Sequence, residues 1–411
     1  MATEAEDLAL QGAFRLTAPT GEAGVAGPAT IMVGAELLQV SPQSGDMVSV
    51  AYRDVDAVED AGYEIVLSLA DGFRLHLLRL GGRRDEALDT VRTRWRDALS
   101  AALFIAEPAE YDRCRSVTSL ARGDLCVNGS AEVRIYDTRI GVFPDAGDPY
   151  VIEHAEVRGV SFDAAAYAVV IGLEPGDSLG LTRIGRRSKE WPGLLEKARS
   201  GVSARVRAIV GALFPSAPSG SGQTLFRNGF GARQADLAGS IPDFLGGLAA
   251  LEGTEGRLAE YALALRALCP AAEARFGITL DTAKAFEGVG SVLPEVSIGE
   301  FESVRASAWA LVPLASPKGT TAAAFEVLSA PDHATYGFRI DPACAGEELA
   351  FLEHCLRRIQ FRRDPIAAEE DSLPSGVLRR VPQLRWLRER FIGRAVHSSV
   401  DTWTATVRAW A

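Results

Sequence analysis

Hydrophobic and polar residues alternate with period two over Ile31–Val33, Leu37–Val40, Met47–Tyr52, Glu64–Leu69 and Phe73–Leu78. That is the pattern of short strands whose successive side chains face opposite sides of a sheet. Pro42 to Asp46 and Ala70 to Gly72 separate them, where glycine permits positive φ and aspartate bonds its own backbone in a turn. After Gly82 the period lengthens to 3.6, and Leu88, Val91, Trp95, Leu99 and Ala102 share one face of a predicted helix. The block reads as a meander of strands closed by one amphipathic helix.

The same block occurs twice. A shift of 102 residues lays Gly27–Val58 on Gly129–Val160 without a gap, and a shift of 104 lays Tyr63–Glu86 on Tyr167–Glu190. Identical pairs begin at Gly27, Ala29, Val40, Pro42, Gly45, Asp46, Val55 and Val58 in the first stretch. In the second they begin at Tyr63, Leu69, Gly72, Leu75, Leu77, Arg79, Gly81, Arg83 and Glu86. Turn glycines and alternating apolar sites are what two copies of one β-fold retain, because they set backbone and core. Trp191, Leu195, Ala198, Val202, Val206, Ile209 and Leu213 mark the second closing helix.

Strand, Asp-Gly turn and strand in LSLADGFRLHLL, then a basic turn and a helix with an inward Trp95, resemble the pleckstrin-homology-like (PH-like) family. The resemblance implies an α+β chain with tandem bent sheets, barrel- or sandwich-like, each plugged by its C-terminal helix. It also implies a role in binding proteins, peptides or lipids. Trp191 stands earlier in its helix than Trp95 does, a departure from the family pattern. On this reading residues 1–12 form a disordered acidic tail, 13–104 the first PH-like domain and 115–214 the second.

The Pro/Ser/Gly run PSAPSGSG places a linker at 215–223. Beyond it, 224–371 reads as a helical segment plus an α+β domain. Helices are expected from Ser240 to Phe276, with Ser240 as N-cap before Pro242 at the first helical position. Strands are expected over Ala306–Leu314, Ala322–Leu328 and Thr335–Ile340, and a helix over Glu347–Ile359. Their order fits a diverged third copy or an unrelated α+β domain equally. Residues 372–411 form a basic C-terminal helical segment with seven arginines against Glu389 and Asp401.

A formal net charge of −11 argues against a nucleic-acid binder, since an acidic body is repelled by phosphate unless a local patch overrides it. Five widely spaced cysteines, Cys114, Cys126, Cys269, Cys344 and Cys355, match neither a disulfide framework nor a zinc site. An acidic N-terminus without an apolar stretch, and no apolar run near the roughly 20 residues that span a bilayer, point to the cytoplasm. Arginine outnumbers lysine in an Ala- and Gly-rich chain, which fits a GC-rich, bacterial source.

No catalytic, cofactor or metal constellation emerges: HExxH, CxxC, G-x-S-x-G and the phosphate-loop spacing are absent. GSGQT at Gly220 lacks the phosphate-holding lysine, and GFG at Gly229 lacks the third glycine of a dinucleotide turn. His76, His154, His333, His354 and His397 are scattered, and Glu369, Glu370 and Asp371 read as a solvated loop.

The repeated polar feature is Arg79, Arg83 and Arg84, echoed by Arg183, Arg186 and Arg187. Guanidinium forks suit carboxylate or phosphate, although such arginines also serve as solvated or domain-bridging charges. Lipid-binding members of the resembled family hold headgroups at the first strand pair, where Thr17–Gly24 and Val127–Ala131 carry no Lys or Arg.

From Val377 to Ile392, Leu378, Val381, Leu384, Leu387 and Phe391 form a stripe with Arg380, Arg385 and Arg388 around it. Such a helix can dock on a partner or membrane, or pack on its own domain. The sequence leads to a non-enzymatic adaptor that binds a protein partner and needs no cofactor. Its alternatives are a peripheral protein on anionic lipid and an enzyme with an unrecognised site in the C-terminal half.

Overall fold

The structure, a computed structural model, describes residues 7–105, 110–122, 125–145, 148–174, 176–215, 225–237, 239–241, 243–249, 256–268, 273–281, 296–298, 302–317, 319–328, 334–369, 373 and 377–411. The chain is α+β, built of antiparallel sheets and helices.

In the first module β1 (Leu8–Thr17), β2 (Ala23–Val33), β3 (Leu37–Pro42), β4 (Val48–Ala51), β5 (Val55–Asp60), β6 (Ile65–Leu69) and β7 (Arg74–Leu78) precede α1 (Arg84–Ala102). The sheet order is β4-β3-β2-β1-β7-β6-β5. Strand β1 starts at Leu8, inside the stretch assigned above to the acidic tail, because Leu8, Leu10 and Phe14 turn toward the core.

The second module repeats this plan strand for strand. β8 (Glu110–Arg122), β9 (Leu125–Tyr136), β10 (Arg139–Pro144), β11 (Tyr150–Glu153), β12 (Val157–Asp163), β13 (Ala168–Leu173) and β14 (Ser178–Thr182) precede α2 (Trp191–Leu213). Their order is β11-β10-β9-β8-β14-β13-β12.

Register is retained along with order. Ile31 faces Val40 as Val133 faces Val142, and Val58 faces Leu67 as Val160 faces Ile171. Even the irregularity between Val55 and Ala57 recurs between Val157 and Gly159. Since a one-residue slip would turn every core side chain outward, matched register means matched cores. All five helix positions read from the first copy, Leu88 to Ala102, are buried, as are all seven of the second.

The remaining unit is a six-stranded sheet: β15 (Gly231–Arg233), β16 (Arg275–Leu280), β19 (Ala306–Ser316), β20 (Gly319–Val327), β21 (Ala334–Arg339) and β22 (Phe391–Val396), adjacent in that order. β17 (Val296–Ile298) and β18 (Glu302–Val304) form a separate hairpin. The six-stranded order does not repeat that of the modules, so the resemblance of its strand-helix tail to a third copy is local.

Helices α3 (Phe244–Ala249), α4 (Gly256–Leu268), α5 (Ala345–Arg358), α6 (Val377–Arg380), α7 (Pro382–Arg390) and α8 (Val400–Arg408) cover this sheet. Trp309, Leu311 and Phe325 pack with the apolar faces of α5 and α7, while Ala308, Ala310 and Val312 pack with α2, α3 and α8. Burial on both faces explains why β19 reads as an unbroken apolar run instead of an alternation.

Two expectations change here. Helix α3 begins at Phe244, with Asp243 accepting from the Gly246 N–H at 2.9 Å in place of the Ser240 cap. The stretch up to Phe276 is not helical to its end, because β16 starts at Arg275. The linker at 215–223 lies outside the described residues apart from Pro215.

Candidate functional site

The two modules meet through charged side chains taken out of water. Arg96 on α1 and Arg134 on β9 each reach Glu132 at 2.7 Å, and Arg134 also reaches Asp97 at 2.6 Å. Arg96 adds Asp145 at 3.1 Å, and the Ser100 and Tyr136 hydroxyls share a hydrogen bond of 3.1 Å. Arg96 and Arg134 are both buried. Burial pulls the Arg96 pKa down, while Glu132 and Asp145 oppose that pull. Glu132 and Arg134 share a face because alternate residues of a strand do, so one strand supplies both halves of the seam.

The same corner of each module, the single 3-10 turn after its fourth strand, grips the third unit. The turns are Tyr52–Asp54 and His154–Glu156. Arg380 donates to the Arg53 carbonyl at 2.8 Å and to the Val55 carbonyl at 2.6 Å, and it joins Arg379 on Asp56. At the equivalent carbonyl of the second module, that of Ala155, the donor is Arg227 at 3.3 Å. Arg357 and Arg358 meet Glu156 at 3.4 and 3.5 Å, and Arg358 donates to the Val151 carbonyl at 2.5 Å.

Behind these corners Trp95 donates to the Val55 carbonyl at 2.9 Å. His154, fully enclosed, shares 3.0 Å with the Tyr136 carbonyl, and burial pulls its pKa down to about 4.

The six arginines read from sequence divide into two groups. Arg83 pairs with Glu86 at 2.9 Å and donates to the Ala9 carbonyl at 2.9 Å, fastening the helix start to β1. Arg187 does the same in the second module through Asp112 and, at 3.9 Å, Glu190. Arg84 is held by Asp60 and by Asp85 at 2.9 Å. Arg79, Arg183 and Arg186 are exposed, and among the described residues their guanidiniums have no partner.

The C-terminal stripe is not one helix. Val381 leaves the helical conformation and Pro382 opens α7, since proline lacks the N–H an uninterrupted helix needs there. Leu384 and Leu387 are fully buried and Leu378 packs partly against the same core. Phe391 has passed into β22, Arg380 is buried at the first module's corner, and Arg388 donates to the Pro365 and Ala368 carbonyls at 2.7 Å each. Arg385 flanks Leu384 on the partly exposed side of α7. The apolar stripe therefore faces the protein's own core.

A cleft of about 700 Å³ opens between the first module and the third unit. Ala51, Ala98, Ala101, Ala102 and Ala368 keep it roomy, and Arg53 stands at its rim.

A buried polar cluster escaped the sequence reading. His397 lies 3.1 Å from Glu326, Trp403 donates to the Thr335 hydroxyl at 2.8 Å, and Thr335 in turn bonds Glu326. Glu326 and His397 are 71 residues apart, so spacing gave no signal. Cys114 and Cys355 have thiols pushed up to about 12 by burial. Among the described residues no three His, Cys, Asp or Glu side chains are grouped to hold a metal ion, and no helix is long and apolar enough to cross a membrane.

No family model matches the sequence, and no curated protein matches it. Two solved structures illustrate the level of structural likeness. The C-terminal domain of an unknown protein from Leishmania infantum is 13% identical, covering 25% of this chain and 96% of that one, with a TM-score of 0.21. The Spt16D Pob3N heterodimer is 12% identical, covering 46% of this chain and 89% of that one, with a TM-score of 0.18. At such scores neither carries an argument about fold or activity.

Proposed function

We propose that the chain is a non-enzymatic adaptor whose tandem PH-like modules form one rigid body that binds a protein partner. The PH-like reading is supported by a seven-strand meander closed by a C-terminal helix, found twice in one chain with matched register.

The observation that carries the adaptor reading is the shared corner. In both modules the equivalent backbone carbonyl, of Arg53 or Ala155, accepts a guanidinium presented by another unit. Recognition by contact is thus already what these modules do inside the chain. The buried Arg96–Glu132–Arg134 seam holds them in a fixed relation, which suits a scaffold because a preorganised surface loses little entropy on binding.

The test is retrieval of the tagged full-length chain from native lysate at moderate salt. A stoichiometric protein partner supports the reading. Its absence, together with salt-sensitive sedimentation on acidic vesicles, would transfer the proposal to the lipid-binding alternative.

A further inference from the structure

Most residues shared by the two modules have a structural task, but at the helix-start end of each an arginine stands in solvent beside an exposed tyrosine. Valines, leucines and glycines build core and turns, and Arg83 with Glu86, like Arg187 with Glu190, ties the helix start down. Tyr63 and Tyr167 stand out among them, being 93% and 48% exposed, the second with one edge of its ring against Phe162 at 5.4 Å. Arg79 and Arg183 are likewise exposed, with no partner for either guanidinium among the described residues.

Strand register brings each tyrosine to its arginine. Ile65 pairs with Leu77 and Ala168 with Thr182, so the hairpin tip carrying Tyr63 or Tyr167 ends beside the turn carrying Arg79 or Arg183. In the first module the Asp60–Arg84 ion pair closes the same hairpin onto that turn.

The backbone adds an independent argument. Arg79 has φ 56° and Arg183 φ 61°, the left-handed region that glycine or asparagine occupies with less strain. Arginine stands at this position in both modules although its guanidinium has no partner among the described residues, which leaves it available for a contact outside the fold.

We propose that each Tyr–Arg pair is a contact site for an acidic peptide segment of a partner, giving one site in each module. Tyrosine and arginine are the residue types that dominate binding energy at protein interfaces. Arg186 and Lys189 enlarge the cationic patch on the second module, again without partners among the described residues. On the first module Glu59, Asp60 and Glu64 of the same hairpin are engaged by Arg74, Arg84 and Arg15, which leaves the Arg79 charge unmatched; a narrow peptide meets this local charge, whereas a flat anionic membrane meets a body of net charge −11. The proposal rests on the adaptor reading and names the chemistry of its partner.

The experiment titrates the full-length chain with a fluorescein-labelled decaglutamate peptide and reads affinity and stoichiometry. Two equivalents are expected for the unchanged chain. Arg79→Asn and Arg183→Asn, which suit the left-handed backbone, each remove one equivalent. Tyr63→Ala and Tyr167→Ala weaken their own site at least 5-fold, and Arg79→Lys keeps part of the binding. Arg207→Ala, an equal loss of charge on an exposed face of α2, leaves both equivalents.

An unchanged stoichiometry in the asparagine variants overturns the proposal. So does an equal loss in Arg207→Ala, or binding to phosphatidylserine vesicles in preference to the peptide. If the quadruple variant still retrieves the partner that the unchanged chain retrieves from lysate, the adaptor reading stands and this site assignment falls.

Discussion

The two modules share a skeleton and differ in how each is built into the rest of the chain. α1 turns a second face, Arg96 and Ser100, onto the neighbouring module. α2 is longer and runs on, so that Trp191, Leu195 and Ala198 complete its own module while Val206, Ile209, Val210 and Leu213 enter the core of the third unit. The corner residue changes as well, from Tyr52 to His154, both buried. Divergence has thus gathered at the joints, while identity survives in strand register and turns. A duplicated fold can be assembled into one body by altering the few side chains that leave its core.

The largest effect should come from breaking the seam on one side only. Arg134→Ala leaves Glu132 buried beside a single guanidinium, and is expected to lower unfolding free energy by about 3–5 kcal/mol, measured by urea denaturation. Arg187→Ala, which removes a half-exposed pair on the same module, should stay within about 1 kcal/mol. Equal losses would mean that the seam adds no coupling beyond a surface ion pair.

Next comes the corner histidine. Its folded pKa of about 4 lies below the usual 6.5 because burial disfavours the charged ring. The unfolded chain therefore takes up a proton first as pH falls, and stability is lost from about pH 6.5 downward toward 4. The expected loss is about 2–3 kcal/mol across that window. His154→Gln, which retains a donor for the Tyr136 carbonyl, should flatten it. Tyr52, whose pKa burial moves upward, gives the first module no transition in this range. Melting temperatures of the variant and unchanged chain at pH 7 and pH 4.5 decide the matter.

The helix tryptophans compare the two cores directly. Trp95 donates to the Val55 carbonyl, whereas the Trp191 indole N–H has no partner among the described residues. Trp95→Phe leaves that carbonyl with one donor fewer and should cost about 1 kcal/mol more than Trp191→Phe, once both are measured by denaturant midpoint. A reversed order would mean that packing volume, and not the hydrogen bond, separates them.

Five of the first module's seven strands and both helix faces were readable because period-two and period-3.6 patterns are local, and because each copy checks the other, whereas β1 and β5 went unread. Ile31, Val40, Leu67 and Leu75 announced their faces through alternation alone. The joints were not readable in the same way. Arg380 on Arg53, or Arg357 on Glu156, links residues hundreds of positions apart, and an arginine looks the same in sequence whether solvated or buried. The C-terminal stripe stayed open between two readings for a related reason: Leu384 and Leu387 fit a docking helix as well as a core helix. Pro382 and the alternation in FIGRAV were local clues to the break and to β22.

The smallest predicted effect tests the Tyr–Arg ends from the side of stability. Arg79→Gly relieves a left-handed side-chain residue, and part of that gain is offset by the greater freedom of glycine in the unfolded chain. The net expectation is a gain of about 0.5–1 kcal/mol, with the same sign for Arg183→Gly because both turns share this conformation. Glycine should therefore stabilise both modules while removing a charge from each. If either variant loses stability instead, its arginine supports the turn after all, and that position no longer calls for a use outside the fold.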